Sequence, residues 1–374
     1  MLVLVTGGAG FIGSHLVDGL LAAGHQVRVV DALAPQVHGA DGGRPDYLDP
    51  DVELIVGDLL DSELIERSME GVEAVLHQAA AVGVGQSMYE ISAYVEANVL
   101  ATARLLEAIV ERRERIRKVL VASSMSNYGE GRYRTAAGDL RAPPPRSLTQ
   151  LEARDWELRD PQTGEVLHPM PTDEEKPLQP TSVYATTKRD QEELTLNVCR
   201  AYGIPAVALR YFNVYGTRQA LSNPYTGVAA IFCSRILNDQ PPLIFEDGRQ
   251  SRDFTHVTDI VQANLLALER DSADGRVLNI GTGKPTDLLQ LSSLLLDALG
   301  KSNRLRPEIV ARFREGDIRH CYADITAIQD ALGYRPRVSI SEGIPDLIEW
   351  ASRQTVADRV GTAVSELEER SLIR

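Results

Sequence analysis

Tyr184 and Lys188 stand four residues apart at the start of a stretch with helical periodicity, Ser182 to Ala201. Positions i and i+4 share one face of a helix, so an ammonium lies close to a phenol. A free phenol has a pKa of about 10 and is a poor base at neutral pH. A neighbouring positive charge favours the phenolate and makes proton abstraction feasible. The spacing alone is common, and an exposed amphipathic helix carries the same pattern. Ser123-Ser124-Met125-Ser126 follows the apolar run Val119 to Ala122. A hydroxyl beyond the carboxyl end of a parallel strand can bond the substrate oxygen that loses its proton.

These residues need a frame, and the first 125 residues describe one. Short β-branched runs at 2–5, 27–31, 52–56, 74–77 and 119–122 alternate with helical patterns. That alternation predicts βαβ units and an α/β, doubly wound parallel sheet of the Rossmann type. Near-continuous apolar strands fit a sheet covered on both faces. Between the first strand and the first helix, Gly7, Gly10 and Gly13 stand three apart, with Phe11 and Ile12 between them. In a strand–turn–helix context such glycines let the backbone approach a pyrophosphate, and the helix amides face that anion. Asp31 ends the second strand, about 20 residues on, where a carboxylate accepts from both ribose hydroxyls and repels a 2′-phosphate. Ala32-Leu33-Ala34 offers no arginine for such a phosphate, so NAD is expected rather than NADP. Lys188 could then hold the nicotinamide ribose, and the positive nicotinamide ring would lower the Tyr184 pKa further. Asp58, before Leu59, follows the third strand and suits either the adenine amino group or a turn.

The 374 residues carry 39 Lys+Arg against 53 Asp+Glu, a net charge of −14. That balance argues against non-specific binding to nucleic acid or an anionic membrane. An anionic ligand must be held locally, by a few arginines and backbone amides. No apolar run approaches the ~18 residues of a membrane span, and Met1 leads straight into a strand without a basic leader. Cys199, Cys233 and Cys321 form no Cys-x-x-Cys pair, which excludes a disulfide framework and an obvious zinc site. A cytoplasmic location is expected. Residues 130–180 interrupt the rhythm with Pro143-Pro144-Pro145, Pro161, Pro169, Pro171, Pro177 and Pro180. They read as an irregular excursion, either a surface loop or a lid or interface flap, with a short helix over 148–159. The expected division is an NAD-binding domain over 1–211, completed by 254–280, a smaller substrate lobe over 212–253 and 281–350, and a helical tail over 351–374.

Taken together, the motifs resemble the extended short-chain dehydrogenase/reductases, specifically the nucleotide-sugar epimerase/dehydratase family. The similarity covers residues 1–350. It rests on Gly7 to Gly13, Asp31, Asp58-Leu59, His77-Gln78-Ala79-Ala80, Asn98, Ser124, Tyr184/Lys188, Arg210-Tyr211-Phe212-Asn213 and Arg252-Asp253-Phe254. The resemblance implies a Ser124–Tyr184–Lys188 triad and a cofactor groove lined by Ala79 and Ala80. It also implies that Asn98 supports the site and belongs to the cofactor-binding set, and that Tyr211 and Asn213 reach cofactor and substrate. Arg252 and Arg314 match the family's diphosphate-binding arginines, and Asp317 its ribose-binding acid. Ser126, Val228 at a helix start, and Phe245 as a wall for the base complete the expected substrate site. Cys321 is placed at the edge of the sugar pocket. His77 reads as a satisfied strand-end histidine.

The dehydratases of this family carry an Asp-Glu pair after the serine, and the decarboxylases a nearby Glu. Met125 and Ser126 stand there instead. Without a local carboxylate there is no obvious acid/base for elimination. The implied activity is 4-epimerisation: transient C4 oxidation by tightly bound NAD, rotation of the 4-keto sugar and hydride return, in carbohydrate biosynthesis. The 56-residue spacing from Tyr128 to Tyr184 is similar to that of dTDP-L-rhamnose 4-epimerases, which points to a dTDP-6-deoxyhexose such as dTDP-L-rhamnose, or to a UDP-hexose. A dehydratase or decarboxylase using an insert acid such as Glu174, and a non-catalytic NAD sensor, are the alternatives. Some of those relatives carry a cysteine pair in the insert; residues 159–164 have none, so no metal is expected. The family also implies a homodimer built from helices near 98–112 and 182–201.

Overall fold

Seven short apolar runs pair side by side, all in parallel, into one sheet. In chain order they are β1 (Leu2–Thr6), β2 (Gln26–Asp31), β3 (Glu53–Val56), β4 (Ala74–His77), β5 (Lys118–Ser124), β6 (Ala206–Tyr211) and β7 (Val277–Ile280). Their spatial order is β7-β6-β5-β4-β1-β2-β3. The computed structural model describes residues 1–39, 42–314 and 316–374. The order reverses at β1, where β1 lies between β2 and β4 and Thr6 sits between Val30 and His77. A crevice opens beyond the carboxyl ends of the strands at such a point.

Six helices matter to the site: α1 (Phe11–Ala22), α2 (Ala101–Glu111), α3 (Val183–Tyr202), α4 (Val228–Leu237), α5 (Val257–Glu269) and α6 (Val360–Glu369). One face of the sheet is covered by α1 and α5, through Leu16, Val17, Leu20, Ile260 and Ala263. The other is covered by α2 and α3, through Leu105, Leu106, Ile109 and Cys199. Both layers are needed because the strands are apolar on both sides. The ends of α3 are set locally. Ser182 Oγ accepts from the Ala185 amide at 3.1 Å, and Gly203 adopts φ 69° just past the last turn. A π-helical turn at Val95–Leu100 precedes α2 and turns Asn98 inward.

A smaller lobe carries a mixed sheet of Asn213–Tyr215, Ser251–His256, Pro285–Asp287 and His320–Cys321. Its own core gathers Phe232, Leu291, Leu295, Ile344 and Leu347.

The proline-rich interruption is more ordered than its composition suggests. Leu140–Arg141, Arg132–Arg134 and His168–Met170 form a three-stranded antiparallel sheet over a small core of Tyr133, Leu158 and Leu167. The expected helix is shorter than its pattern, Leu148–Glu152; Arg154, at φ 57°, turns the chain away. The insert is fastened by buried ions. Arg319, with no exposed side-chain surface, donates to Glu157, Glu246 and Asp247 at 2.5 to 3.1 Å. Arg146 grips Glu246 with two bonds of 3.0 and 2.8 Å. His320 and Arg319 beside Glu157 hold its carboxyl down at about 2. Removing one partner of a buried ion set leaves its mate desolvated and unpaired. Arg319→Met is therefore expected to cost about 3–5 kcal/mol in chemical denaturation; a loss below about 1 kcal/mol would show the cluster to be energetically idle.

Candidate active site

Beyond the carboxyl ends of β1, β4, β5 and β6 lies a cavity of about 790 Å³. It begins at the glycine turn. Gly7 adopts φ 67°, and a Cβ there would stand 2.8 Å from the Ala79 amide; a Cβ on Gly13 would stand 2.1 Å from the Gly7 carbonyl oxygen. Only glycine lets strand, turn and helix close this tightly. Gly7, Gly10, Phe11, Ile12 and Gly13 all line the cavity, as do Asp31, Asp58, Leu59, Ala79 and Ala80. The Asp31 carboxylate accepts from the Ala9 and Leu33 amides at 3.0 and 2.9 Å. His38 Nε2 lies 3.7 Å from it. Asp58 both faces the cavity and closes a turn, accepting from the Leu60 amide at 2.9 Å.

The centre of the cavity holds Ser124, Ser126, Tyr184, Lys188 and Tyr211. Ser126 donates to Ser124 Oγ from its hydroxyl at 2.8 Å and its amide at 3.2 Å. Ser124 in turn hydrogen-bonds the Tyr184 phenol, which pulls its pKa down, but burial is the larger effect and holds it above the ordinary value. The predicted lowering is thus not achieved by the side chains alone. Lys188 is buried as well: desolvation pushes it down to about 7, opposed by Glu192, and its Nζ donates to Gln191 at 2.7 Å. Tyr211 spends its hydroxyl inside the protein, near Gln78 Oε1 and Asn264 Oδ1 at 3.2 and 3.0 Å.

The far half contains Asn213, Val228, Phe245, Arg252, Arg314 and Asp317. Gly227 and Val228 open α4, whose first turn faces the cavity. The Arg314 guanidinium lies 5.0 Å over the Phe245 ring and donates to Asp317 at 2.8 Å, so three separately expected residues form one wall. Arg252 is braced against the carbonyls of Ser251, Ile318 and Arg319 at 2.7 to 3.0 Å.

The family model for the NAD-dependent epimerase/dehydratase family matches residues 3–149 and 161–281. The chain belongs to that family. It is an NAD-dependent enzyme. Among its relatives, dTDP-L-rhamnose 4-epimerase of Burkholderia thailandensis is 35% identical over 355 residues, covering 94% of this chain and 95% of the relative. A dTDP-glucose 4,6-dehydratase of Actinoplanes sp. is 31% identical, covering 94% and 97%. UDP-glucuronic acid 4-epimerase from Bacillus cereus, solved with UDP-glucuronic acid and NAD, superposes with a TM-score of 0.76 at 28% identity, covering 94% of this chain and 99% of that one.

The family's cofactor fits what the cavity offers. The turn at Gly7 and Gly13 leaves room only for backbone approach. Gln78 Nε2 is buried against the cavity without a hydrogen-bond partner among the described residues. Two expectations need correction. Asn98 lies behind the wall, fully buried, exchanging bonds of 2.7 and 3.1 Å with the Ala81 backbone and donating to Thr187. It shapes the loop after β4 rather than touching a ligand, because the π turn points it into the core. Cys321 is also buried, 3.8 Å from Thr172 Oγ1, outside the cavity lining. The insert contributes no lining residue between Ser126 and Thr181. Residues that sequence reasoning missed are Gln78, His38, Gln219, Gln250 and the tail from Val360. Gln78 was within reach, since it sits inside the His77-to-Ala80 motif.

His77 is a satisfied core histidine, bonded to Thr6 at 2.7 Å and Thr102 at 2.8 Å. Burial, helped by Lys188, pushes it down to about 3. Between its unfolded value of about 6.5 and that folded value, the unfolded chain binds the proton and the folded chain does not. Stability therefore falls as pH drops below about 6.5, by about 1.4 kcal/mol per unit from this residue. Urea unfolding at pH 5.5 and 4.5 is expected to show that extra loss in the wild type and not in His77→Gln. Equal losses in both would remove His77 as the cause.

Proposed function

We propose that this enzyme is a nucleotide-sugar 4-epimerase acting on a dTDP-6-deoxyhexose such as dTDP-L-rhamnose, or on a UDP-hexose. The observation that carries the reading is a site with one proton-transfer tyrosine and, among the described residues following Ser124, no acid to serve elimination. Met125 and Ser126 occupy the positions where a carboxylate pair would stand. Glu174, the candidate substitute, is half-buried outside the cavity lining and accepts from the Asn279 amide at 2.7 Å.

Gly7, Gly10, Phe11, Ile12, Gly13, Asp31, Asp58, Leu59, Ala79 and Ala80 would hold NAD, with Lys188 toward its nicotinamide ribose. NAD, when bound, supplies reversible hydride exchange at C4. Tyr184 takes the proton from O4 of the sugar and later returns it, and Ser124 holds that oxygen in line. Both must work near the phenol's own pKa, which burial raises and Ser124 lowers. Arg252 and Arg314 would hold the diphosphate, Phe245 the base, Asp317 the ribose, and Ser126 and Asn213 the sugar. Asn213 Oδ1, buried in the cavity wall without a hydrogen-bond partner among the described residues, supports that last assignment. A homodimer accords with Ile91, Val95 and Leu100, which leave 54%, 41% and 42% of their surface exposed along the helical column that leads up to α2. No helix among the described residues is long and apolar enough to cross a membrane.

NMR of the purified protein with dTDP-L-rhamnose, UDP-glucose and UDP-glucuronate, without added NAD, tests the reading. A C4-inverted equilibrium mixture from one of the first two is expected. A 4-keto-6-deoxy product, or loss of a carbon, would replace epimerisation by dehydration or decarboxylation. Tyr184→Phe is expected to keep NAD bound and lose at least 10²-fold in turnover, the scale of a lost general acid/base; wild-type activity in it would sink the mechanism.

A further inference from the structure

One wall of the cavity comes from a segment beyond the family match, which ends at residue 281. Val360, Ala363, Val364 and Leu367 follow the spacing of one helical face on α6, and all four line the cavity, as do Leu372 and Ile373. Two contacts locate this face. Leu367 packs on Gly85, where a Cβ would stand 3.4 Å from each of its methyl carbons. Gly85 belongs to the turn in which Ser87 Oγ accepts from the Tyr184 amide at 3.0 Å. Further on, Ile373 pairs with Arg314, whose guanidinium covers Phe245. The segment thus straps the cavity from its proton-transfer end to its arginine–aromatic end.

The strap is fastened by polar groups at its margins. The hydroxyls of Tyr89 and Tyr225 both donate to Glu366 Oε2, at 2.9 and 2.6 Å. The Arg370 guanidinium lies 4.3 Å over the Tyr89 ring. Arg312 pairs with Glu368 at 2.6 Å, and Phe313 and Arg374 exchange two backbone bonds of 3.0 Å. What the strap presents to the cavity is aliphatic.

We propose that this C-terminal strap is part of the substrate site, and that Val364 and Leu367 select a sugar with a methyl group at C6 over one with a C6 hydroxyl. The proposal rests on the 4-epimerase reading above and names the sugar class within it. A hydroxyl set against these side chains gives up water without gaining a partner, whereas a methyl group gains contact.

The test uses two sugars that differ only at C6, dTDP-L-rhamnose and dTDP-L-mannose, with the full-length protein. For wild type, Leu367→Asn and Leu367→Met, kcat/KM is read from C4-inverted product, beside NAD content. Wild type is expected to prefer dTDP-L-rhamnose by about 10²-fold, the discrimination an apolar wall gives against an added hydroxyl. Leu367→Asn should reduce that ratio about tenfold, mainly through a lower KM for dTDP-L-mannose, with part of the polar penalty relieved. Leu367→Met should keep it. Conversion of both sugars with equal kcat/KM by wild type, or an unchanged ratio in NAD-loaded Leu367→Asn, overturns the proposal and leaves the 4-epimerase reading standing. Conversion of neither sugar by wild type overturns the 4-epimerase reading for this class, and the proposal with it. Should Leu367→Asn fail to fold, Val364→Thr carries the same comparison. Hydrogen exchange over 360–373 in wild type adds a second reading: slowing by dTDP-L-rhamnose is expected, and unchanged exchange overturns the strap's place in the site.

Discussion

Hydride chemistry needs a dry pocket, and a dry pocket opposes charge. The Tyr184–Lys188 pair lives under that constraint, and much of the surrounding structure answers it. Desolvation raises the phenol and lowers the ammonium, so both drift toward their neutral forms. Each is opposed by one neighbour: a hydrogen bond with Ser124 for Tyr184, and the charge of Glu192 for Lys188. A negative charge near Lys188 has a cost of its own, since Glu192 is buried as well. It is offset by Arg210, which donates to both carboxylate oxygens at 2.5 and 2.9 Å, and by Ser123 at 2.5 Å.

That chain of compensation continues outward. Arg210 also donates to the Tyr128 hydroxyl at 2.8 Å, and Tyr128 donates to Asn279 at 2.7 Å. Asn279 donates to the Thr172 carbonyl in the insert, and its amide to Glu174. The insert therefore influences the site without lining it. It also meets the strand that carries Tyr211, where Arg210 donates to the Glu174 carbonyl at 3.3 Å. The same residue that an elimination mechanism would recruit, Glu174, is committed to backbone pairing at the end of β7. Arg146 adds a second link, donating to the Asp317 carbonyl at 3.0 Å while gripping Glu246. The wall of Arg314, Phe245 and Asp317 is steadied from behind by the insert's ions.

The parts of this arrangement legible in the sequence are those with local causes. A glycine forced by a 2.1 Å approach, an aspartate ending a strand, and a Tyr–Lys pair one helical turn apart each leave a short-range mark. The structure brings all of them to one cavity, and the parallel sheet follows from the alternation of runs. Asn98 was misassigned because a π turn shifts which face a residue takes, and no spacing of apolar residues announces one. The insert read as irregular because strands of two or three residues are too short to show alternation. Their stability comes instead from ion pairs between residues far apart in sequence, such as Arg146 with Glu246.

The tail is the most instructive case, because its signal was visible and its meaning was not. An apolar face over Val360, Ala363, Val364 and Leu367 predicts a helix that buries one side. Periodicity is silent on what lies beneath. A helix over a core and a helix over a ligand cavity present the same stripe. What separates them is the neighbour at the other side of the contact, here Gly85 beside the loop that holds Tyr184 rather than a packed hydrophobic layer. Only the fold brings together Gly85 and Leu367, about 280 residues apart. An apolar stripe at a chain end thus belongs among candidate site elements whenever the sheet's open edge faces it.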